Sequence, residues 1–388
     1  MINKLQIIAT KPTRNIIGLM SGTSLDGLDI ALCNISGSGK STKAKISYFT
    51  TINYPIPLVT AIREISAEHI SLKSLTALHT TLGNWMGNAT NKALKQWGVT
   101  KDEIDLIASH GQTIYHIPGA NNNNQPATLQ IGDADQIAAT TGITTISDFR
   151  MKHIAAGGEG APLAGYGDYL LFSNSEKDIV LINIGGIANF TILPADGGKP
   201  ICCSDVGPGN TLMDAWMRNN ENLPYDKDGS IAARGSVYTP LLEKLLAHPF
   251  FKLPFPKSTG PEMFSYHWLQ EGVIHSGAST LSSADIMATL NVFTARCIAQ
   301  ALLHNITTKN IEVFISGGGL WNLTLLKNIQ ELLPNYHLKS MSDTGILPDA
   351  KEALLFAILA NECISGTANT FTGTGLLPVK MGKISFPL

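Results

Sequence analysis

Short continuous apolar runs alternate along this chain with longer stretches in which apolar positions recur at helical spacing. The runs Asn15–Met20, Leu28–Ile35, Ile104–Ser109, Ile143–Ile146, Ile179–Ile184, Ala188–Leu193 and Ile311–Ser316 predict β-strands. The helical pattern predicts helices over Asp133–Thr141, over Thr211–Asn219 with Asn210 as its cap, and from Ser283 to about Asn305 with Ser282 or Ser283 as its cap. A further helix reaches about Leu333, and an apolar one spans Ala350–Ile364. Strands and helices alternate, which defines an α/β fold with mixed sheets. Asn121–Asn124 reads as a polar loop.

The glycines sharpen this picture because they cluster where strands end. Strand–glycine–strand units near residues 21 and 185 read as hairpins, with glycine supplying positive φ at the turn. The recurrence of that unit permits a duplicated fold, although no internal repeat is visible in the sequence.

Composition narrows the class. Apolar residues make up 44% and the net charge is −2, which excludes a disordered chain and disfavours nucleic acid or an anionic membrane as the main partner. The cysteines, Cys33, Cys202, Cys203, Cys297 and Cys363, are odd in number and form no CxxC pair. That pattern reads as reduced thiols, not as a disulfide framework or a zinc site. The N-terminal apolar run is too short for a signal peptide, and the densest apolar run, Ala353–Ala360, is too short to span a bilayer. The expectation is a cytoplasmic protein.

Three glycine-rich turns are candidates for holding a nucleotide. The first is Ser21-Gly22-Thr23-Ser24-Leu25-Asp26-Gly27, where small residues let backbone N–H groups approach phosphate and hydroxyls add donors. Asp26 is placed to hold Mg²⁺ through water. The turn is neither a Walker A loop nor a dinucleotide fingerprint. The second turn is Gly185-Gly186. The third is Gly317-Gly318-Gly319 at a strand-to-helix junction, where a flat adenine can lie against bare backbone. Asp205, in Cys-Ser-Asp-Val-Gly-Pro-Gly-Asn, is the candidate catalytic carboxylate: a glycine- and proline-fixed turn locks it ahead of a helix whose first N–H groups are free donors. Other candidates are Glu352 on the last helix, His110 and Gln112 at a strand end, and Asp148 with Arg150. Asn210 and Asp214 read as a helix cap and surface.

The order hairpin, hairpin, strand–GGG–helix resembles the acetate/sugar kinase, Hsp70 and actin superfamily. More narrowly, GLMSGTSLDGLD (Gly18–Asp29), ASHGQT (Ala108–Thr113), LQIGD (Leu129–Asp133), AAGGEGAPL, NIGGIANF (Asn183–Phe190), DVGPGN (Asp205–Asn210), KSTGPEMF (Lys257–Phe264) and SGGG (Ser316–Gly319) resemble the anhydro-N-acetylmuramic acid kinase family. The matches run in order over nearly the whole chain.

The resemblance implies two RNase H-like (actin-like ATPase) lobes with an interlobe cleft: residues 1–146 joined by 366–388, and residues 147–365. It implies a phosphotransferase with an alcohol acceptor. The enzyme would open 1,6-anhydro-N-acetylmuramic acid with water and phosphorylate O6 from ATP, in peptidoglycan recycling. ATP and Mg²⁺ are the implied cofactors, the sugar is the partner, and a homodimer is compatible with the pattern. ATP would lie on Gly22, Thr23, Ser24, Leu25, Asp26, Gly27, Leu28 and Asp29, with Gly185, Gly186, Gly317, Gly318 and Gly319. Asp205 would be the general base, with Glu352 supporting substrate or water. His110, Gln112, Asp148, Arg150 and Gly158 would contact the sugar, with Arg150 pairing its lactyl carboxylate. The rival expectations are another small-molecule kinase of the superfamily and a non-enzymatic ATP-binding chaperone-like module.

Overall fold

The computed structural model describes residues 2–22, 25–65, 70–117, 119, 123, 125–195, 200–260, 262–306, 308 and 310–388. Of the expected loop Asn121–Asn124, only Asn123 is among them. The chain divides into two compact units: unit 1 is residues 1–171 with 345–388, and unit 2 is residues 172–344.

The strands are β1 (Thr13–Ser21), β2 (Gly27–Ser36), β3 (Lys43–Asn53), β4 (Leu106–Ile117), β5 (Ala127–Ile131), β6 (Thr145–Ser147), β7 (Asp178–Ile184), β8 (Ile187–Leu193), β9 (Cys202–Pro208), β10 (Ile311–Ser316), β11 (Leu338–Ser340) and β12 (Lys383–Ser385). In unit 1 the order is β12-β6-β4-β1-β2-β3, with β5 paired to β4. In unit 2 it is β11-β10-β7-β8-β9.

The two sheets share one plan. In each, the first three strands form an antiparallel meander, and two further strands add parallel on the other side of the first. This is an RNase H-like sheet present twice. The duplication that the two hairpins permitted is therefore real at the level of topology.

The connections follow from the pairing. Antiparallel neighbours need only a turn, whereas parallel neighbours need a crossover. The crossovers are helical: Leu72–Trp97 and Ala134–Thr141 in unit 1, Ser283–Asn305 and Leu323–Leu332 in unit 2. Ser282 Oγ caps Ser283–Asn305 by accepting from Asp285 N at 3.1 Å. That helix is long and apolar enough to cross a membrane by length and composition, but 78% of its most apolar window is buried, so it reads as the central core helix of unit 2. Its Ile286, Leu290, Phe293 and Ile298 pack with Val180, Ile182 and Ile315 of the sheet.

The unit boundaries differ from the expected 146/147 and 365/366. The helix Lys351–Ser365 belongs to unit 1, where it crosses β1. A Cβ on Gly18 would lie 1.8 Å from the Ala353 carbonyl oxygen, so the missing side chain is what lets helix and strand approach. Phe356 of the same helix packs on the rings of His110 and Phe149 at 4.7 and 5.4 Å.

Three local expectations are also corrected. β4 does not end at Ser109 but continues through His110–Thr113, because Gly111 absorbs a positive φ of 74° and the strand then pairs antiparallel with β5. Asp205 lies within β9, not in a turn. The α-helix Thr211–Trp216 ends earlier than expected and passes into a π-helical turn over Met217–Glu221, and Asn210 does not cap it with its side chain.

Candidate active site

In unit 1 the chain leaves β1 at Ser21 and re-enters β2 at Gly27. Thr23 and Ser24 lie outside the described residues. Leu25 holds a left-handed φ of 58°, an uncommon conformation for a branched side chain, and the following Asp26 Oδ1 accepts from Gly27 N at 2.9 Å. The turn is braced from beneath. Tyr54 donates its hydroxyl to Ser21 Oγ at 2.7 Å, and Ser21 donates to Gln112 Oε1. The Gln112 Nε2 donates to Thr113 O at 3.2 Å. Both ends of the Gln112 amide are engaged, the residue is only 2% exposed, and it braces the turn through Ser21.

Carboxylates gather around this turn. Burial pushes the Asp29 carboxyl up, and the fields of Asp26 and Asp349 add to that, while its hydrogen bond from Thr51 at 2.6 Å opposes it. The Glu352 side chain is exposed, yet the protein around it pushes its carboxyl up. Arg150 opposes that rise and Asp29 adds to it. Among the described residues no group of three or more metal-ligating side chains occurs. The oxygen-only set suits a hard divalent ion that keeps most of its waters, and such an ion would relieve the mutual repulsion.

Arg150 lies in the short helix Phe149–Ala155. Its Nε donates to His110 Nε2 at 2.8 Å and its Nη1 to Gly160 O at 2.9 Å. The His110 Nδ1 lies 2.9 Å from Gly111 O. Both ring nitrogens are therefore occupied, and His110 holds Arg150 through Nε2. Burial, followed by the field of Arg150, pushes the His110 pKa down to about 3. Asp148 holds a φ of 58° and pairs with Lys383 of β12 at 2.8 Å. A Cβ on Gly158 would fall 2.3 Å from the His153 ring, so this glycine serves close packing.

In unit 2 the glycine segments converge at one end of the sheet. Gly209 N and Thr211 N donate to Gly186 O at 2.8 and 3.2 Å, and Asn210 N donates to Gly185 O at 2.8 Å. The N–H groups of Gly209, Asn210 and Thr211 are thus engaged by the β7–β8 hairpin. The Asn210 Nδ2 donates to Ile184 O at 3.2 Å, tying its side chain to the end of β7. A Cβ on Gly317 would lie 2.6 Å from Asn183 Oδ1, and one on Gly319 would lie 2.3 Å from Ile184 Cγ2. Gly318 is the open one, with only Asn210 Nδ2 at 3.6 Å.

Asp205 sits opposite Asn189 on this sheet's edge strand. Its Oδ2 accepts from Ser258 Oγ at 2.9 Å and from Thr259 N at 2.8 Å. Burial raises its pKa above the ordinary carboxylate value, and these two donors pull it back. The sequence reading found Asp205 but not its two partners, although both stand in the motif Lys257–Phe264.

Two RNase H-like sheets, each with a glycine turn after its first strand, are the plan of the actin-like ATPase fold, and sequence relationship makes the chain a kinase, a phosphotransferase with an alcohol acceptor. The family model for anhydro-N-acetylmuramic acid kinase matches residues 14–386, and the chain belongs to that family. An anhydro-N-acetylmuramic acid kinase from Pseudoalteromonas atlantica is 48% identical over 100% of this chain and 99% of its own. One from Caldanaerobacter subterraneus is 39% identical over 99% and 100%. Among solved structures, (R)-2-hydroxyglutaryl-CoA dehydratase component A of Acidaminococcus fermentans aligns over 92% of this chain and 100% of that one, with 12% identity and a TM-score of 0.44.

Proposed function

We propose that this enzyme opens 1,6-anhydro-N-acetylmuramic acid with water and transfers the γ-phosphoryl group of ATP to O6, giving N-acetylmuramic acid 6-phosphate and ADP. The observation that carries the reading is the Asp205 carboxylate, held by donors that favour its ionised form on a strand beside the glycine hairpin. Membership of the family supports the choice of substrate.

In this reading Asp205 takes a proton from water as the water oxygen bonds to C1. The C1–O6 bond breaks, O6 bonds to the γ-phosphorus, and the bond from that phosphorus to the β–γ bridging oxygen breaks to release ADP. Phosphoryl transfer to O6 replaces the protonation that an acetal leaving group otherwise requires. Asp205 is the base, and Gly317–Gly319 with Gly185 and Gly186 would offer bare backbone to the adenosine side of ATP. The turn Gly22–Asp29 would take the phosphates, Arg150 the sugar's carboxylate, and Glu352 would support the attacking water. Asp26 would hold Mg²⁺, which when bound would supply charge neutralisation on the phosphates. We place the enzyme in the cytoplasm, where ATP is available.

The test is product mass from purified protein, ATP·Mg and the anhydro sugar in ¹⁸O-water. Label at C1 and none on phosphate is expected. Label on phosphate overturns the mechanism, and no sugar phosphate overturns the function.

A further inference from the structure

The segment Lys257–Thr259 lies along the free edge of β9 and is fastened there at several points. The Lys257 ammonium sits 4.5 and 4.4 Å from the ring centres of Phe250 and Phe255 and donates to Phe250 O at 3.0 Å. Lys257 N donates to Ser204 Oγ at 2.9 Å, and Asp205 N donates to Lys257 O at 2.9 Å. The Asp205 backbone N–H and the side chain of the preceding Ser204 are therefore tied to the segment before any side chain of residues 258 and 259 is considered.

On that fixed platform, the two hydrogen bonds to the Asp205 carboxylate among the described residues both fall on Oδ2. A carboxylate oxygen holding two donors is less basic than its twin, because each donor draws on its lone pairs. The carboxylate plane is also fixed, since rotation about its Cβ–Cγ bond would break both bonds.

We propose that Ser258, with the Thr259 N–H, is the positioning element of the reaction: it pins Oδ2 of Asp205 and leaves Oδ1 as the oxygen that takes the proton from water. This rests on Asp205 being the base. Ser258 itself touches neither substrate nor water in this arrangement, and acts through Asp205. Its hydroxyl is exposed, so water competes for the bond and a moderate effect is expected.

The experiment compares Ser258→Ala, Ser258→Thr, Asp205→Asn and the double variant Asp205→Asn/Ser258→Ala in full pH–rate profiles. Ser258→Ala is expected to lower kcat by about three- to tenfold with the KM for ATP unchanged. Loss of a donor to the ionised form raises the pKa of the base. The acidic limb of kcat/KM is therefore expected to move toward neutral pH by up to about one unit. Ser258→Thr keeps a hydroxyl and is expected to restore both. In the Asp205→Asn background, Ser258→Ala is expected to cost nothing further, because the two act as one unit.

An unmoved acidic limb with kcat within twofold of wild type in Ser258→Ala overturns the proposal while an inactive Asp205→Asn leaves the base assignment intact. A loss in the double variant that adds to that of Asp205→Asn overturns it as well, by showing that Ser258 acts elsewhere. Full turnover in Asp205→Asn overturns the base assignment and the proposal together.

Discussion

Arg150 donates its Nε proton to His110 Nε2 at 2.8 Å, while the other nitrogen of that ring faces the Gly111 carbonyl at 2.9 Å. A guanidinium has no acceptor, so His110 must receive at Nε2 and carry its single proton at Nδ1. The ring is thus fixed as one neutral tautomer.

This assignment has a direct spectroscopic consequence. His110 is expected to remain neutral and Nδ1-protonated from about pH 8 down to about pH 5, since its pKa is pushed from 6.5 down to about 3. Nitrogen chemical shifts of a histidine-labelled sample check this. A His110 signal titrating near its ordinary value would remove the bond to Arg150. The sign for stability follows. The unfolded ring protonates below about 6.5 and the folded one only near 3, so stability contributed by the neutral ring is lost as pH falls through that window.

Arg150 has committed Nε and one proton of Nη1 to the protein. Nη2 makes no hydrogen bond among the described residues and is the nitrogen left for a carboxylate. Arg150→Lys cannot keep the His110 and Gly160 bonds and present a fork at the same time. The KM for the sugar is expected to rise about tenfold or more, with the KM for ATP near wild type. Steady-state kinetics with each substrate varied in turn decide the point, and an unchanged sugar KM would clear Arg150 of that role.

Asp205→Asn removes the base while preserving shape and both donors' neighbourhood. Turnover is expected to fall by roughly 10²–10⁴ while nucleotide affinity by calorimetry stays near wild type. Because burial raises the Asp205 pKa, the wild-type acidic limb is expected above the ordinary aspartate value, with activity lost as pH falls through it.

Gly18→Ala tests the packing of the C-terminal helix. The new Cβ would lie 1.8 Å from a backbone oxygen, which cannot rotate away, so destabilisation of roughly 1–3 kcal/mol or more is expected. Gly98→Ala is the control: nothing lies within 4 Å of its Cβ, its φ is 68°, and its cost is conformational, about 1 kcal/mol. Urea denaturation of both variants measures the contrast, and equal losses would count against close contact at Gly18.

What was legible in the sequence is what local pattern encodes. The β1–β2 and β7–β8 hairpins and β10 were readable because apolar runs stop at glycine. β3 was missed because Lys43–Asn53 is an edge strand whose alternation is largely polar and exposed. Asp205 was recognised by its neighbours but placed in a turn, since β9 is also an edge strand and begins with Cys-Cys-Ser. Its partners Ser258 and Thr259 stand 53 and 54 residues further on, beyond any local pattern. The bonds of His110 to Arg150 and of Gln112 to Ser21, partners 40 and 91 residues away, leave no trace in spacing.

Unit 1 is assembled from both ends of the chain, with unit 2 inserted between them. During synthesis on a ribosome, β1 to β6 emerge early, yet the helix that seals β1 is made only after the whole of unit 2. A growing polypeptide must therefore carry an uncapped apolar strand face for most of its translation, an interval in which a chaperone binding that face would guard against aggregation.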